Sequence, residues 1–298
     1  MQRVHPYKSR RRNRCWDSSL KPDTLTTMID YRAHTVRPFC CGIDKMKIAL
    51  GVEYDGSGFN GWQKQSHARS VQEDLEAALS RVADQPVRVH CAGRTDTGVH
   101  GTGQVVHFET TAERPPRAWV LGSNVNLPND VSVSWARQVA DDFHARFSAT
   151  GRHYRYLILN RGTRSALWRN RATWHHHPLD EHRMHQAAQA LVGTHDFSSY
   201  RALGCQAKHP VRTIHRLDVS RQGEMIAIEV HANAFLHHMV RNLAGVLMAI
   251  GQGKQEVSWA EEILQLRDRR KGGVTAPPHG LYLTKVDYPE EFQLPDRR

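Results

Sequence analysis

Apolar and polar residues alternate with two different periods along this chain, and the switches between them outline its elements. From Met46 the run Met46-Lys47-Ile48-Ala49-Leu50-Gly51-Val52-Glu53-Tyr54 reads as a strand. Ser70 stands three residues before Glu73, a capping box, and Val71, Leu75, Leu79 and Val82 follow at helical spacing, predicting a helix over 71–83. Val87, Val89 and Cys91 alternate as a second strand, and Gln104 to Glu109 as a third. Pro115-Pro116 starts a short helix reaching Asn124, and Val131, Val133 and Trp135 alternate again. The order is β-α-β-β-α-β.

The same order then recurs. Tyr154, Tyr156 and Ile158 alternate, and Asp180 to Val192 is helical with Met184, Ala188 and Leu191 on one side and Gly193 at its end. Strands over 212–220 and 225–232 flank the turn Arg221-Gln222-Gly223. Phe235 to Ile250 is a strongly apolar helix ended by Gly251, an extra helix starts at Ser258 with Glu261 completing a second capping box, and Leu281 to Val286 closes the pattern. The expected fold is therefore α+β. It consists of two ferredoxin-like βαββαβ halves related by a pseudo-twofold, antiparallel sheets with helices on one face, and a cleft between the halves. The first half covers 46–150 and carries the loop discussed below, the second covers 151–288, and 289–298 is a tail.

Residues 1–45 show neither period. They hold Arg10-Arg11-Arg12 and carry ten Lys and Arg against four Asp and Glu, much of the formal net charge of +11 on the 298-residue chain. They read as a basic, disordered extension, or as sequence upstream of a natural start at Met46. No apolar core with a cleavage site marks them as a secretory signal. The basic balance favours an anionic partner, nucleic acid first. The longest apolar stretch, Leu243 to Ile250, is far too short to span a membrane. Three of the five cysteines, Cys15, Cys40 and Cys41, lie in the extension, and an odd, irregularly spaced set points to a reducing, cytoplasmic setting rather than a disulfide framework.

Candidate chemistry concentrates in Gly93-Arg94-Thr95-Asp96-Thr97-Gly98-Val99-His100-Gly101. Its glycines permit a tight turn and close ligand approach. Alone it equally describes a turn in which Asp96 caps a backbone N–H and Arg94 is surface charge. It does not stand alone. Tyr54-Asp55-Gly56, Gly61-Trp62-Gln63, Phe143-His144-Ala145-Arg146-Phe147, Arg152-His153-Tyr154-Arg155-Tyr156, Arg212-Thr213-Ile214, the run from Asn233 to Asn242 and Gly280-Leu281-Tyr282-Leu283 follow in order. In this order the chain from Met46 to about Tyr288 resembles the tRNA pseudouridine synthase A family; residues 1–45 fall outside the resemblance.

The resemblance implies an isomerase that turns uridine into pseudouridine at positions 38, 39 and 40 of the anticodon stem and loop of tRNA, without cofactor or metal, and as a homodimer. It puts the catalytic aspartate on Asp96, the substrate-stacking tyrosine on Tyr154, the base-displacing arginine on Arg94 and the aspartate's ionic partner on Arg241. Physical chemistry suits these residue types. Breaking a glycosidic bond builds positive charge at C1′, and a carboxylate there can stabilise it, attack it, or take the C2′ proton. A carboxylate in a closed cleft needs a nearby cation to stay ionised, the freed base needs a flat aromatic wall, and a flipped base leaves a space that an arginine can fill. His144 and Arg146 are candidate substrate contacts. Arg152 and Arg155 read either as phosphate contacts or as solvated strand-face charge.

Histidine clusters at 175–177 and 237–238, and His182 and His185 share a helix face. Adjacent histidines point in different directions on regular backbone, and no His-Glu-x-x-His or Cys-x-x-Cys motif accompanies them, so no functional metal is expected. Two other classes of function remain: a silent RNA-binding protein using the same cleft, and a glycosidase that would release free uracil.

Overall fold

In the computed structural model the chain is described over residues 45–295; the readings placed on residues 1–44 and 296–298 lie outside the described residues. In chain order come β1 (Met46–Tyr54), α1 (Val71–Ala83), β2 (His90–Cys91), β3 (His100–Thr110), α2 (Pro116–Asn126) and β4 (Val131–Val139). Then follow β5 (Gly151–Asn160), β6 (Thr173–His175), α3 (Glu181–Gln189), β7 (Gly193–Asp196), β8 (Val211–Gln222), β9 (Met225–Ala232), α4 (Met239–Gly251), α5 (Trp259–Leu266) and β10 (Leu281–Asp287). The fold is mixed and consistent with α+β. Its strands form one ten-stranded, mostly antiparallel sheet in the order β4-β1-β3-β10-β5-β9-β8-β7, with β2 on β3 and β6 on β5.

The strands of both expected halves lie in this one sheet, and β10 is the reason. It runs antiparallel to β5 from Leu281↔Tyr156 to Asp287↔Gly151, and it meets β3 in a short parallel pair, Tyr282↔His100 and Leu283↔Gly101. The contact is close because Gly103 has no side chain: a Cβ there would stand 2.0 Å from the carbonyl oxygen of Thr284. Beyond the pair β3 turns to β2 instead, through His90↔His107 and Cys91↔Val106.

Burial follows strand alternation. Ile48, Leu50 and Val52 of β1 and Val106 and Phe108 of β3 pack beneath Leu75 and Leu79 of α1 and Trp119 of α2. The intervening Ala49 and Val105 face the other way, onto Phe143, Ala145 and Leu283, with Tyr288 and Phe292 packed alongside. A larger cluster joins Tyr156, Ile158, Ile228 and Val230 to Met184 of α3 and to Leu243 and Leu247 of α4.

Several boundaries differ from the periodicity. The strand expected over Val87–Cys91 shrinks to two residues, because α1 takes its amides: Val87 N–H donates to Ser80 Oγ at 2.9 Å and Val89 N–H to Glu76 Oε1 at 3.1 Å. Ser70 caps α1 by accepting from the Glu73 amide. The second capping box is absent: Ser258 is already helical in backbone and its hydroxyl donates to Glu262 Oε1 at 2.7 Å. α4 starts at Met239, four residues later than expected, because His238 takes the left-handed conformation at φ 59°. The short β6 and β7 carry too few residues to show a period.

A valine at Gly103 should push β10 from β3 and destabilise the protein by about 1–3 kcal/mol in urea unfolding. Alanine at Gly162, which has open space around it, should stay within about 0.5 kcal/mol. A second prediction concerns His107, buried beside His144 and His90, its Nδ1 accepting from the Ala145 amide at 3.1 Å. Burial, then the neighbouring histidines, push its pKa down to about 3. The unfolded chain therefore binds a proton there below pH 6.5 that the folded chain refuses. Stability should fall by up to about 1.4 kcal/mol per pH unit as pH drops from 6.5 toward 3, and His107→Asn, which keeps the acceptor, should flatten that slope in unfolding measured at pH 7 and pH 5.

Candidate active site

The loop from Gly93 to Val99 joins β2 to β3, and nearly every residue before it that matched the family pattern braces it. Gln104, fully buried, holds the Gly93 peptide from both sides, its Oε1 accepting from Gly93 N–H at 3.3 Å and its Nε2 donating to Gly93 O at 2.6 Å. Thr95 Oγ1 lies 2.9 Å from the Tyr54 hydroxyl, and Thr95 O accepts from the Trp62 amide at 3.0 Å. Two glycines stand where a side chain would collide with the loop. A Cβ on Gly56 would reach 2.0 Å from Val99 O, and one on Gly61, at φ +92°, would reach 2.8 Å from Thr95 O. His100 closes the base: its Nδ1 accepts from Gly56 N–H at 3.1 Å, its Nε2 lies 2.8 Å from Asn170 O, and its ring stacks on Tyr282 at 4.5 Å.

So braced, the loop presents Asp96 to the first turn of α4. Arg241 Nη1 donates to Asp96 Oδ2 at 3.4 Å, and its Nε donates to Ala276 O at 2.8 Å, which fixes the guanidinium from behind. The next residue, the buried Asn242, anchors that turn by donating to Tyr200 O at 2.7 Å and accepting from Thr275 Oγ1 and Arg269 Nη2. Two imidazoles face the same carboxylate. His237 Nε2 lies 3.4 Å from Asp96 Oδ1 and His238 Nε2 lies 3.3 Å from Oδ2. Burial pulls the His238 pKa below its ordinary value; the Asp96 charge opposes that fall, and His237 and Arg241 add to it. Adjacent histidines converge here because the backbone between them is not regular: the left-handed His238 folds its ring back beside that of His237, centroids 4.0 Å apart. The sequence reading did not anticipate the direct contact of this pair with Asp96. Helical periodicity assumed from Phe235 onward hid it.

Tyr154 stands half-buried on β5 where two core clusters meet, edge-on to Phe235 at 4.9 Å. Its hydroxyl looks toward Gly93, where even an added Cβ would remain 3.7 Å away. Burial, then the nearby Asp96 charge, push its phenol pKa upward, so it keeps its proton at neutral pH. Arg94 projects into solvent from the same loop and forms no ion pair among the described residues. Asp96, Tyr154, Arg94 and Arg241 thus come from one loop, one strand and one helix start, and gather at one place.

The remaining candidates sit further out. Arg152, half-buried, donates to four backbone carbonyls, those of Ala149, Asn233, Ala92 and Arg146. Arg155 points to the opposite sheet face from Tyr154 and pairs with Glu229 at 2.5 Å. His144 Nδ1 accepts from the Arg146 and Phe147 amides and packs its ring on Phe147, while Arg146 is exposed above that ring. Phe143 is core, but Phe147 is largely exposed.

A guanidinium and two imidazoles around one partly exposed carboxylate, with an aromatic ring beside it and a free arginine at its rim, can bind a flat base and steady positive charge at a sugar carbon. No helix among the described residues is long and apolar enough to cross a membrane. The family profile described as tRNA pseudouridine synthase matches residues 51–148 and 187–289. A protein of Nitrosococcus oceani named tRNA pseudouridine synthase A is 60% identical over 250 residues, 84% of this chain and 96% of that protein. Proteins of the same name from Pseudomonas aeruginosa and Alcanivorax borkumensis are 59% and 58% identical, each over 84% of this chain and over 88% and 94% of their own length. With its profile and its relatives in agreement along most of the described residues, the chain belongs to the tRNA pseudouridine synthase A family.

Proposed function

We propose that this chain isomerises uridine to pseudouridine in tRNA, at positions 38, 39 and 40 of the anticodon stem and loop, with Asp96 as the catalytic residue and no cofactor. The observation that carries the reading is the position of Asp96, held at the cleft by a braced loop and faced by Arg241 at 3.4 Å. In the reaction the bond from ribose C1′ to base N1 breaks, the base turns, and C5 joins C1′; the C5 hydrogen leaves as a proton and N1 takes one up. Asp96 acts at the sugar, as nucleophile at C1′ or as base at C2′. Arg241 donates to its Oδ2 and places a positive charge beside it. The Tyr154 ring is a wall against which the detached base turns, and Arg94, free at the rim, fills the stack that the flipped nucleotide leaves.

The fold reading that goes with this function is two βαββαβ halves, 46–150 and 151–288, with the site between them. Its support is that β4-β1-β3-β2 and β10-β5-β9-β8 repeat one spatial order. On the family resemblance the enzyme works as a homodimer in the cytoplasm. His144 and Arg146, at the exposed Phe147, are better candidates for RNA contact than Arg152 and Arg155, whose guanidiniums are engaged within the protein.

Asp96→Asn should abolish tritium release from tRNA labelled at uridine C5 while the variant still binds tRNA in a filter assay. Release by the variant would remove Asp96 from the chemistry, and free uracil as the product would make the protein a glycosidase. Arg94→Ala should slow turnover of base-paired uridines at least about tenfold more than that of unstructured ones, the factor that about 1.4 kcal/mol of flipping energy represents. Equal slowing of both would assign Arg94 to binding alone.

A further inference from the structure

The sheet face turned away from α3 and α4 carries a second convergence of histidine and aspartate. We propose that His153, His231 and Asp287 form a binding site for a divalent transition metal, Zn2+ first among them, separate from the Asp96 site. The three residues come from β5, β9 and β10. His153 and His231 are direct cross-strand partners, and Asp287 is paired with Gly151, two positions along β5, after a bulge between Leu283 and Lys285. Both imidazole Nε2 atoms address one carboxylate oxygen: Asp287 Oδ2 lies 2.6 Å from His153 and 3.1 Å from His231. The rings stack with centroids 3.9 Å apart and planes 9° apart, so their Nε2 atoms point the same way. One ligand atom from each residue falls within 4.8 Å of the others, a span that one tetrahedral ion closes with small side-chain rotations.

Space for the ion is built into the backbone. A Cβ on the buried Gly151 would lie 2.6 Å from Asp287 Oδ2 and 2.6 Å from His231 Nε2, so glycine is what leaves the region between the donors open. Each ligand side chain is between a quarter and a third exposed, which gives an ion a path in and water as its fourth ligand. Two imidazoles and one carboxylate suit zinc, cobalt, nickel or copper and not the all-oxygen shells of magnesium or calcium.

Charge separates this site from the similar cluster at Asp96. There Arg241 donates to the same carboxylate oxygen that faces His238, which sets a fixed cation where a metal would bind. At Asp287 the cation is Lys285, 3.4 Å from the other oxygen, Oδ1, on a flexible and half-exposed side chain. His215 stands beside His231 with centroids 4.8 Å apart. A bound ion would tie β10 to β5 and β9 and so staple the strand through which the two parts of the sheet meet.

Titration of the metal-stripped, untagged full chain with Co2+ tests the site, read by visible absorption of four-coordinate cobalt and by displacement with Zn2+. One equivalent should bind and persist in His237→Ala. It should weaken at least about tenfold in His231→Ala and in Asp287→Asn. Gly151→Ala, which keeps all three ligands, should weaken it as well, and Zn2+ should raise the unfolding temperature of the unaltered chain but not of Asp287→Asn. The proposal fails if no saturable equivalent binds, if it survives both His231→Ala and Asp287→Asn in folded protein, or if it is lost in His237→Ala.

Discussion

The position of β10 is the constraint on which the rest depends. A strand late in the chain is inserted between β3 and β5, and through its two-residue parallel pair with β3 it draws the loop after β2 and the start of α4 to one place. Parallel pairing this short contributes little by itself. Its strength comes from context: Gly103 lets the strands touch, the His100 ring stacks on Tyr282, and Leu283 enters the core with Ala49 and Val105. Were β10 at an outer edge, Asp96 and Arg241 would belong to separate bodies.

Once the two parts meet, electrostatics sets the character of the site. Asp96 faces Arg241, His237 and His238, and Arg241 in turn leans on the Ala276 carbonyl, so the carboxylate sees positive and polarisable groups from α4 and solvent from the front. The His238 backbone matters as much as its ring. A non-glycine residue in the left-handed region costs roughly 1–2 kcal/mol, and here that conformation aims two consecutive imidazoles at one acceptor.

Long periodic elements were legible in the letters. The helix over 71–83 and the strands around Tyr154 and over 225–232 stand where periodicity puts them, because their apolar positions are also their buried ones. The failures have local causes that periodicity does not carry. Ser80 and Glu76 claim the amides of Val87 and Val89, and His238 breaks the helix whose apolar letters run on from Phe235. Asp96, Tyr154, Arg94 and Arg241 were legible only as a resemblance, since nothing in their local spacing says that a loop, a strand and a helix converge. The reason for Gly56 and Gly61, whose missing side chains make room for Val99 and Thr95, lay wholly in three dimensions, and so did the grouping of His153, His231 and Asp287 across strands distant in sequence.

The double hold of Gln104 on Gly93 has a further meaning. A primary amide holds N–H donors and a carbonyl acceptor in one plane, as a peptide group does, so this side chain acts as a graft of strand backbone that carries the ladder beyond the end of β2. The protein's own side chains thereby arrange the loop, and binding energy need not be spent on arranging it. An RNA that reaches this surface meets a carboxylate already in place and an exposed arginine on the same loop. Whatever shape differences exist among the molecules that bind must then be absorbed by those molecules, and not by the ground on which Asp96 stands.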